Sequence, residues 1–189
     1  QYETSTDIYA MRLDASGTPL DAVAFPVAQA PGAQENPQIA WNGTHWLVLF
    51  ESTGIGGTGY YEKHLAFVRV APDGTLADPA PVIIYNTVPI TAIWSVASNG
   101  TDWVVAFAGS PASNDIQAIT ISAAGEVLQP ATSLVEETYF LRFNMRLAYA
   151  DGVYLLTWLE FSDTYALRFD ENLAPLDPAP FSLLPGNSI

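Results

Sequence analysis

The sequence contains one hairpin pattern three times, and this repetition limits the chain to a few folds. An apolar run, a short polar turn and a second apolar run make up "IAWNGTHWLVLFE" at 39–51, "SVASNGTDWVVAFAG" at 95–109 and "LAYADGVYLLTWLE" at 147–160. The apolar residues alternate with a period near two and are rich in Val, Leu, Phe and Trp, which indicates β-strands. The Asn-Gly and Asp-Gly turns favour the positive φ angles of type I′ hairpins.

Four further segments align with one another without gaps and alternate with these hairpins. They are "DIYAMRLDASGTPLDAVAFPV" from Asp7, "HLAFVRVAPDGTLADPAPVII" from His64, "DIQAITISAAGEVLQPATSLV" from Asp115 and "DTYALRFDENLAPLDPAPFSL" from Asp163. Their turns are centred on Gly17, Gly74, Gly125 and Leu173, so the repeat period is about 48–57 residues. One hairpin plus one such segment supplies four antiparallel strands, which is the content of a propeller blade.

The sequence therefore predicts an all-β, β-propeller-like single domain over residues 1–189, built from four-stranded antiparallel blades. Full blades are expected at 36–85, 88–135 and 140–184, and residues 7–28 would supply the two outer strands of a half-blade. An isolated blade cannot bury both of its faces, so neighbouring blades must stack. The aromatic residues that recur at equivalent positions are expected to pack between blades: Trp46, Trp103, Tyr154, Phe50, Phe107 and Trp158.

This pattern resembles the TolB-type, or WD40-like (PD40), β-propeller repeats of bacteria. Those repeats run as a tryptophan-containing strand, a short Asp-Gly turn, an apolar strand ending near Phe, a longer loop and a strand beginning Asp-Ile-Tyr. The corresponding stretches here are "PQIAWNGTHWLVLFE" at 37–51 and "DIYAMRLD" at 7–14. The resemblance implies that the strand at 39–41 is the innermost of its blade, followed by 46–51, 64–70 and 81–85. It implies a fold and no particular activity.

The half-blade raises the question of what completes it. The last blade ends as a whole blade, so its strands are not free to complete residues 7–28. Further repeats of a longer polypeptide, association with other chains, or a small ring closed in a different strand frame are the alternatives. In the first two cases, open blade edges and uncovered apolar faces would be association sites for protein partners.

Charge and composition exclude several kinds of partner. The chain has 20 acidic residues against 6 Lys and Arg, a net charge of −14, which would repel nucleic acid and anionic membranes. No apolar run approaches the roughly 18 residues that a membrane span needs, so membrane insertion is not expected. With no cysteine, thiolate metal sites and disulfides are excluded. Abundant Thr, Ser, Asn, Gly and aromatic residues favour an exported protein, extracellular or periplasmic.

The loop "ESTGIGGTGYYEKH" at 51–64 is the most unusual segment outside the strands. Glycines give it freedom and tyrosines give it amphipathic contact area, which suits a binding loop, although a plain connector has the same features. The candidate binding residues are Tyr60, Tyr61, Glu62 and His64. Glu51 and Glu160 both follow the second strand of a blade, and paired carboxylates there are the candidates for a glycan site.

Two kinds of modification or ligand site remain open. Asp7, His64, Asp115 and Asp163 share one repeat position, where they either cap local turns or contribute oxygen ligands to Ca²⁺. No other cofactor or metal is expected. Asn42-Gly-Thr and Asn99-Gly-Thr have the form of N-glycosylation sites, although both coincide with turns that favour Asn-Gly anyway.

No catalytic constellation emerges from these residues. The sequence favours a non-catalytic, exported repeat module that acts in protein interaction, adhesion or extracellular assembly. The alternative is a glycan-binding or glycan-hydrolysing propeller that uses Glu51, Glu160, Tyr60 and Tyr61.

Overall fold

The computed structural model describes residues 6–53, 63–88, 93–110, 113–136 and 142–184, and all regular secondary structure in these ranges is β. No helix that could cross a membrane occurs among them. The strands are β1 Ile8–Ala10, β2 Phe25–Ala28, β3 Gln34–Trp41, β4 Trp46–Thr53, β5 Lys63–Val70, β6 Val82–Val88, β7 Ile93–Ser98, β8 Trp103–Ser110, β9 Ser113–Ile121, β10 Val127–Val135, β11 Arg142–Ala150, β12 Val153–Glu160, β13 Asp163–Phe169 and β14 Phe181–Leu184.

The described strands form three four-stranded sheets and one two-stranded sheet. The four-stranded sheets have the orders β3-β4-β5-β6, β7-β8-β9-β10 and β11-β12-β13-β14, and β1 pairs with β2. The predictions of an all-β chain and of repeated four-stranded antiparallel sheets are thus confirmed. The sheets also have the predicted consecutive strand order. The radial arrangement of a propeller stays a prediction.

The repeat is visible in the register of the central strand pairs. Each second strand has an aromatic residue at its first or second position, and this residue lies opposite the last apolar residue of the third strand. The pairs are Trp46 with Val70, Trp103 with Ile121, and Tyr154 with Phe169. In all three sheets the two partners occupy the same positions of the aligned segments. Residues that align in sequence therefore occupy equivalent places in the three sheets.

The chain divides into two compact units, residues 1–39 with 44–87 and residues 40–43 with 88–189. In the first unit, the sheet β1–β2 packs on strands β4 and β5 through Ile8, Val27, Phe50 and Val68. In the second unit, the sheets β7–β10 and β11–β14 share a larger core of buried residues, which includes Ala106, Ile116, Met145, Leu147, Tyr154, Trp158 and Phe169. Removal of these apolar surfaces from water is the main stabilising contribution in each unit.

The hairpin turns correct one prediction. Asp151 and Gly152 both have positive φ angles, 50° and 81°, as a type I′ turn requires. At the two Asn-Gly turns only the glycines, Gly43 and Gly100, have positive φ, so type I′ was wrong there. In the second of these turns, the side-chain oxygen of Asn99 accepts hydrogen bonds from the backbone N–H groups of residues 101 and 102, at 2.9 and 2.8 Å. The asparagine therefore closes a longer loop with its side chain.

Candidate functional site

An apolar slot opens within the first unit, between the sheet β1–β2 and strand β3. A cavity of about 260 Å³ lies there. Its wall includes Met11, Leu13, Leu20, Ile39 and Trp46, and these five residues define the apolar slot. Four of them are among the exposed large hydrophobic residues of the described chain, whereas Trp46 is half-buried. The slot is therefore an accessible apolar surface rather than a closed core cavity.

Repeat-equivalent residues on the third strands show how unusual this exposure is. Met11 is 44% exposed, and its counterparts in the other three segments are 2% exposed or less: Val68, Ile119 and Leu167. Leu13 is 57% exposed, and its counterparts are 3% exposed or less: Val70, Ile121 and Phe169. The side chains are chemically alike, so the difference comes from their surroundings. In each complete sheet a second strand pairs with the third, whereas β1 pairs with β2 alone among the described strands.

The facing strand β3 shows the same effect. Ile39 is 61% exposed, whereas the residues that align with it in the other hairpins, Val96 and Leu147, are 7% and 9% exposed. In the second unit, β11 packs against β7 of the preceding sheet, and the N–H of Leu147 donates to the hydroxyl of Ser95 at 3.0 Å. The described residues preceding β3 contain no strand that corresponds to β7, so Ile39 remains uncovered.

A second recess continues the slot along β1 and has a different character. It measures about 490 Å³ and is lined by residues 6–9 and 34–37, which include the carboxylates of Asp7 and Glu35. The backbone N–H of Gln34 donates to the carbonyl of Thr6 at 2.7 Å, and both residues line this recess. Residues 6–9 line the recess and residues 10–13 line the slot, and we call this surface along residues 6–13 the strip beside β1.

Three ion pairs recur at the turns of the repeated segments, and we call them the Arg–Asp clasps. In each, the backbone N–H of the arginine donates to the aspartate Oδ2 at 2.7–2.8 Å, and the guanidinium Nη2 donates to Oδ1 at 2.5–2.6 Å. The pairs are Arg12–Asp21, Arg69–Asp78 and Arg168–Asp177. The third segment has Thr120 and Gln129 at these two positions. The clasps therefore join the two sides of three of the four turns, and in the third segment both charged residues are absent.

The first clasp also borders the apolar slot. Arg12 donates from Nη1 to the carbonyl of Pro72 at 2.9 Å, which ties the turn after β1 to the turn after β5. The hydrogen bonds from Arg12 hold the pKa of Asp21 below its usual value, and those from Arg168 do the same for Asp177. A carboxylate with a lowered folded pKa stabilises the fold above its unfolded pKa and loses that contribution as the pH falls through the folded value.

The two carboxylates predicted for a glycan site are each bonded to a cation of their own sheet. Glu51 is 3% exposed, and its Oε1 accepts from the Nζ of Lys63. Glu160 accepts at Oε2 from the Nε of Arg142 at 3.3 Å and from the indole N–H of Trp158 at 3.4 Å. The two glutamates belong to different compact units. The structure thus gives each of them a local ion-pair partner.

The predicted binding loop is only partly within the described structure. Tyr60, Tyr61 and Glu62 lie outside the described residues. His64 lies within strand β5, opposite Ser52, and is 5% exposed, so it is not a surface residue of the loop. Its Nδ1 has no hydrogen-bond partner among the described residues. His64 belongs instead to the buried polar end of the sheet, next to Ser52 and Gln34.

The repeated aspartates have partners other than the predicted turns. Asp7 accepts from the side-chain amide of Gln29 at 3.4 Å, and Asp115 accepts from the hydroxyl of Ser133 at the same distance. The first bond reaches the residue after β2 and the second reaches β10, so each aspartate contacts the last strand of its own segment or the residue after it. Within the described ranges, no group of three or more His, Asp or Glu side chains is arranged to hold a metal ion such as Ca²⁺.

The two glycosylation motifs differ in accessibility. Asn42 is 1% exposed, and its Nδ2, the atom to which a glycan would be attached, donates to the carbonyl of Thr101 at 2.6 Å. The Asn42 side chain is therefore buried and hydrogen-bonded in this fold, and its modification stays a prediction. Asn99 is half-buried, and its Nδ2 donates to Glu171 at 3.4 Å.

Comparison with known proteins gives a likeness at the level of the fold. No family model matches the sequence, and no curated protein matches it. The structure is similar to the crystal structure of a glycosyl hydrolase from Bacteroides ovatus, with a TM-score of 0.51 and 10% sequence identity. The match covers 97% of this chain and 59% of the other. The chain thus corresponds to about three fifths of that structure's length, and the likeness concerns the arrangement of strands.

Proposed function

We propose that this chain is a non-catalytic, β-propeller-like repeat module that binds another polypeptide through the apolar slot. The observation that carries the proposal is the exposure of Met11, Leu13 and Ile39 at positions whose repeat-equivalent residues are buried. A contiguous, accessible apolar surface with polar surroundings is typical of protein interaction sites. The strip beside β1 adds a strand edge that has no partner among the described strands, which is a second means of recognising a polypeptide.

The same proposal covers the arrangement of the sheets and the place of action. Repeated four-stranded sheets and the resemblance to bacterial propeller repeats support blades arranged around an axis. The composition, rich in Thr, Ser, Asn and Gly and without cysteine, supports an exported module that acts in extracellular or periplasmic adhesion or assembly. No cofactor enters the proposal, because its chemistry is the burial of apolar surface and the pairing of backbone groups.

A glycan-directed function is the second candidate. It is supported by the likeness of the fold to that of a glycosyl hydrolase from Bacteroides ovatus. The residues that would serve it here are Glu160, Arg142 and Trp158, which combine a carboxylate, a guanidinium and an aromatic ring in one cluster. Glycoside hydrolysis requires two carboxylates flanking one glycosidic bond. Glu51 and Glu160 are each engaged by a cation of their own sheet, so this function ranks second.

One paired screen separates the two candidates. The purified chain would be applied to a phage-displayed random peptide library and, in parallel, to a glycan array with a hydrolysis assay on common polysaccharides. We expect peptide ligands to be enriched, and we expect Leu13→Asp to abolish their binding, because it places a charge inside the slot. Val23→Asp is the matched control, since Val23 is 74% exposed and does not line the cavity. Glycan binding or turnover that persists in Leu13→Asp would reject the proposal in favour of the second candidate.

A further inference from the structure

We infer that the strip beside β1 accepts a β-hairpin of this repeat's own type from a separate polypeptide, as an added pair of strands. This inference rests on the proposed function and specifies the conformation and register of the partner. The evidence is internal to the chain, because three complete sheets show what lies next to the equivalent of β1. In each of them a hairpin supplies the first and second strands: β3–β4, β7–β8 and β11–β12.

The register of the incoming hairpin follows from the complete sheets. In the β8–β9 pair, Trp103 lies opposite Ile121 and Val105 lies opposite Ile119. These two β9 residues correspond to Leu13 and Met11. A hairpin with the sequence of residues 93–108 would therefore place its Trp103 copy on Leu13 and its Val105 copy on Met11. Antiparallel pairing would at the same time satisfy backbone groups on the edge of β1 that no described strand covers.

The inner strand of the same hairpin has a matching place on β3. In the second unit, the Ser95 hydroxyl of β7 accepts from the N–H of Leu147. Ile39 occupies the position of Leu147 in the aligned hairpins. A Ser95 copy on the incoming hairpin would thus accept from the N–H of Ile39, and the strand would cover the Ile39 side chain. One ligand thereby accounts for the exposure of residues on both walls of the slot.

Charge indicates a basic partner and disfavours a second copy of this chain. The recess next to the apolar slot carries Asp7 and Glu35, so a hairpin with Lys or Arg after its second strand is favoured there. A second copy has the same net charge of −14, which opposes self-association. The hairpins of such a copy are also already paired within its own sheets. We therefore expect the occupant to be a basic hairpin of a different polypeptide.

The test uses a synthetic peptide of known sequence and the intact chain. The peptide is IWSVASNGTDWVVAFA, residues 93–108, followed by two lysines, in linear form and closed by a disulfide between added terminal cysteines. The closed form ensures that poor folding of the free hairpin does not hide binding. We expect calorimetric binding, with slower hydrogen exchange at the amides of residues 8–10. Affinity should fall roughly tenfold or more in Leu13→Asp and stay unchanged in Val23→Asp, because only the former charge would be buried.

The possible outcomes distinguish this inference from the proposed function. If neither form of the peptide binds while library peptides still bind in a Leu13-dependent manner, the hairpin is rejected and the proposed function stands. If neither the hairpin peptide nor any library peptide binds in a Leu13-dependent manner, the inference and the proposed function are both rejected. Binding of the hairpin without protection of residues 8–10 would overturn the register. Sedimentation of the chain alone tests for a second copy. A dimer that dissociates in Leu13→Asp would show that the occupant is a second copy and would reject a separate polypeptide.

Discussion

Replacing Trp103 with alanine is expected to lower the free energy of unfolding far more than replacing Trp46, although the two residues are repeat equivalents. Trp103 is 0% exposed, and its indole N–H donates to the carbonyl of Ala40 at 3.0 Å. Its removal leaves a large internal cavity, with an expected cost of about 3–5 kcal/mol. Trp46 borders the open slot, where solvent can fill the space, so the expected cost is about 1–2 kcal/mol.

Urea unfolding followed by far-UV circular dichroism measures both losses. This signal comes from the backbone and is little affected by the loss of one indole. If the two compact units unfold in separate transitions, each variant is compared with the wild-type transition of its own unit. Equal losses for Trp103→Ala and Trp46→Ala would mean that Trp46 is as fully packed as its counterpart, which contradicts an open slot.

Replacing Asp78 with alanine is the second change for which we expect a large effect. Asp78 is 6% exposed and accepts hydrogen bonds from the backbone N–H, Nε and Nη2 of Arg69. Its loss would leave a largely buried guanidinium without this carboxylate, at a cost of about 3 kcal/mol. Asp177→Ala should cost clearly less, because the side chain of Arg168 is 54% exposed and water can take over.

The third repeated segment, which begins at Asp115, provides the control for this prediction. Thr120 and Gln129 stand where the other segments have arginine and aspartate. The double change Arg69→Thr with Asp78→Gln should therefore recover most of the stability lost in Asp78→Ala, because it removes both charges together. Chemical unfolding of the three variants and the wild type provides the measurement. A double variant less stable than Asp78→Ala would show that the ion pair itself, rather than an uncompensated charge, determines the cost.

The strands were predictable because their information is local. Alternating apolar residues and turn signals mark β4, β8 and β12 in the sequence, and the internal repeat then indicates how they combine. The Arg–Asp clasps were also within reach, since an arginine followed nine residues later by an aspartate recurs in three of the four aligned segments. The alternation of apolar residues does not reveal them, because the arginine and aspartate positions are not part of that pattern.

The repeat count predicted a half-blade with uncovered apolar faces, but the residues that form the apolar slot could not be identified from local sequence. Residues 7–13 have the same alternating pattern as residues 64–70, and nothing in the two stretches distinguishes an exposed leucine from a buried valine. Their exposure depends on whether a neighbouring strand is present, which is a property of the sheet and not of the segment. The same limit applies to Glu51 and Glu160, whose ion-pair partners Lys63 and Arg142 are 12 and 18 residues away in the sequence.

The two methionines allow the most direct test of the open slot. Met11 is 44% exposed in the slot, whereas Met145 is 1% exposed in the core of the second unit. Dilute hydrogen peroxide followed by peptide mass spectrometry would give the oxidation rate of each in the native chain. Because oxidation of methionine follows access to solvent, Met11 should react roughly tenfold or more faster than Met145. Equal protection of the two residues would show that the slot is filled in the native chain and would contradict the account.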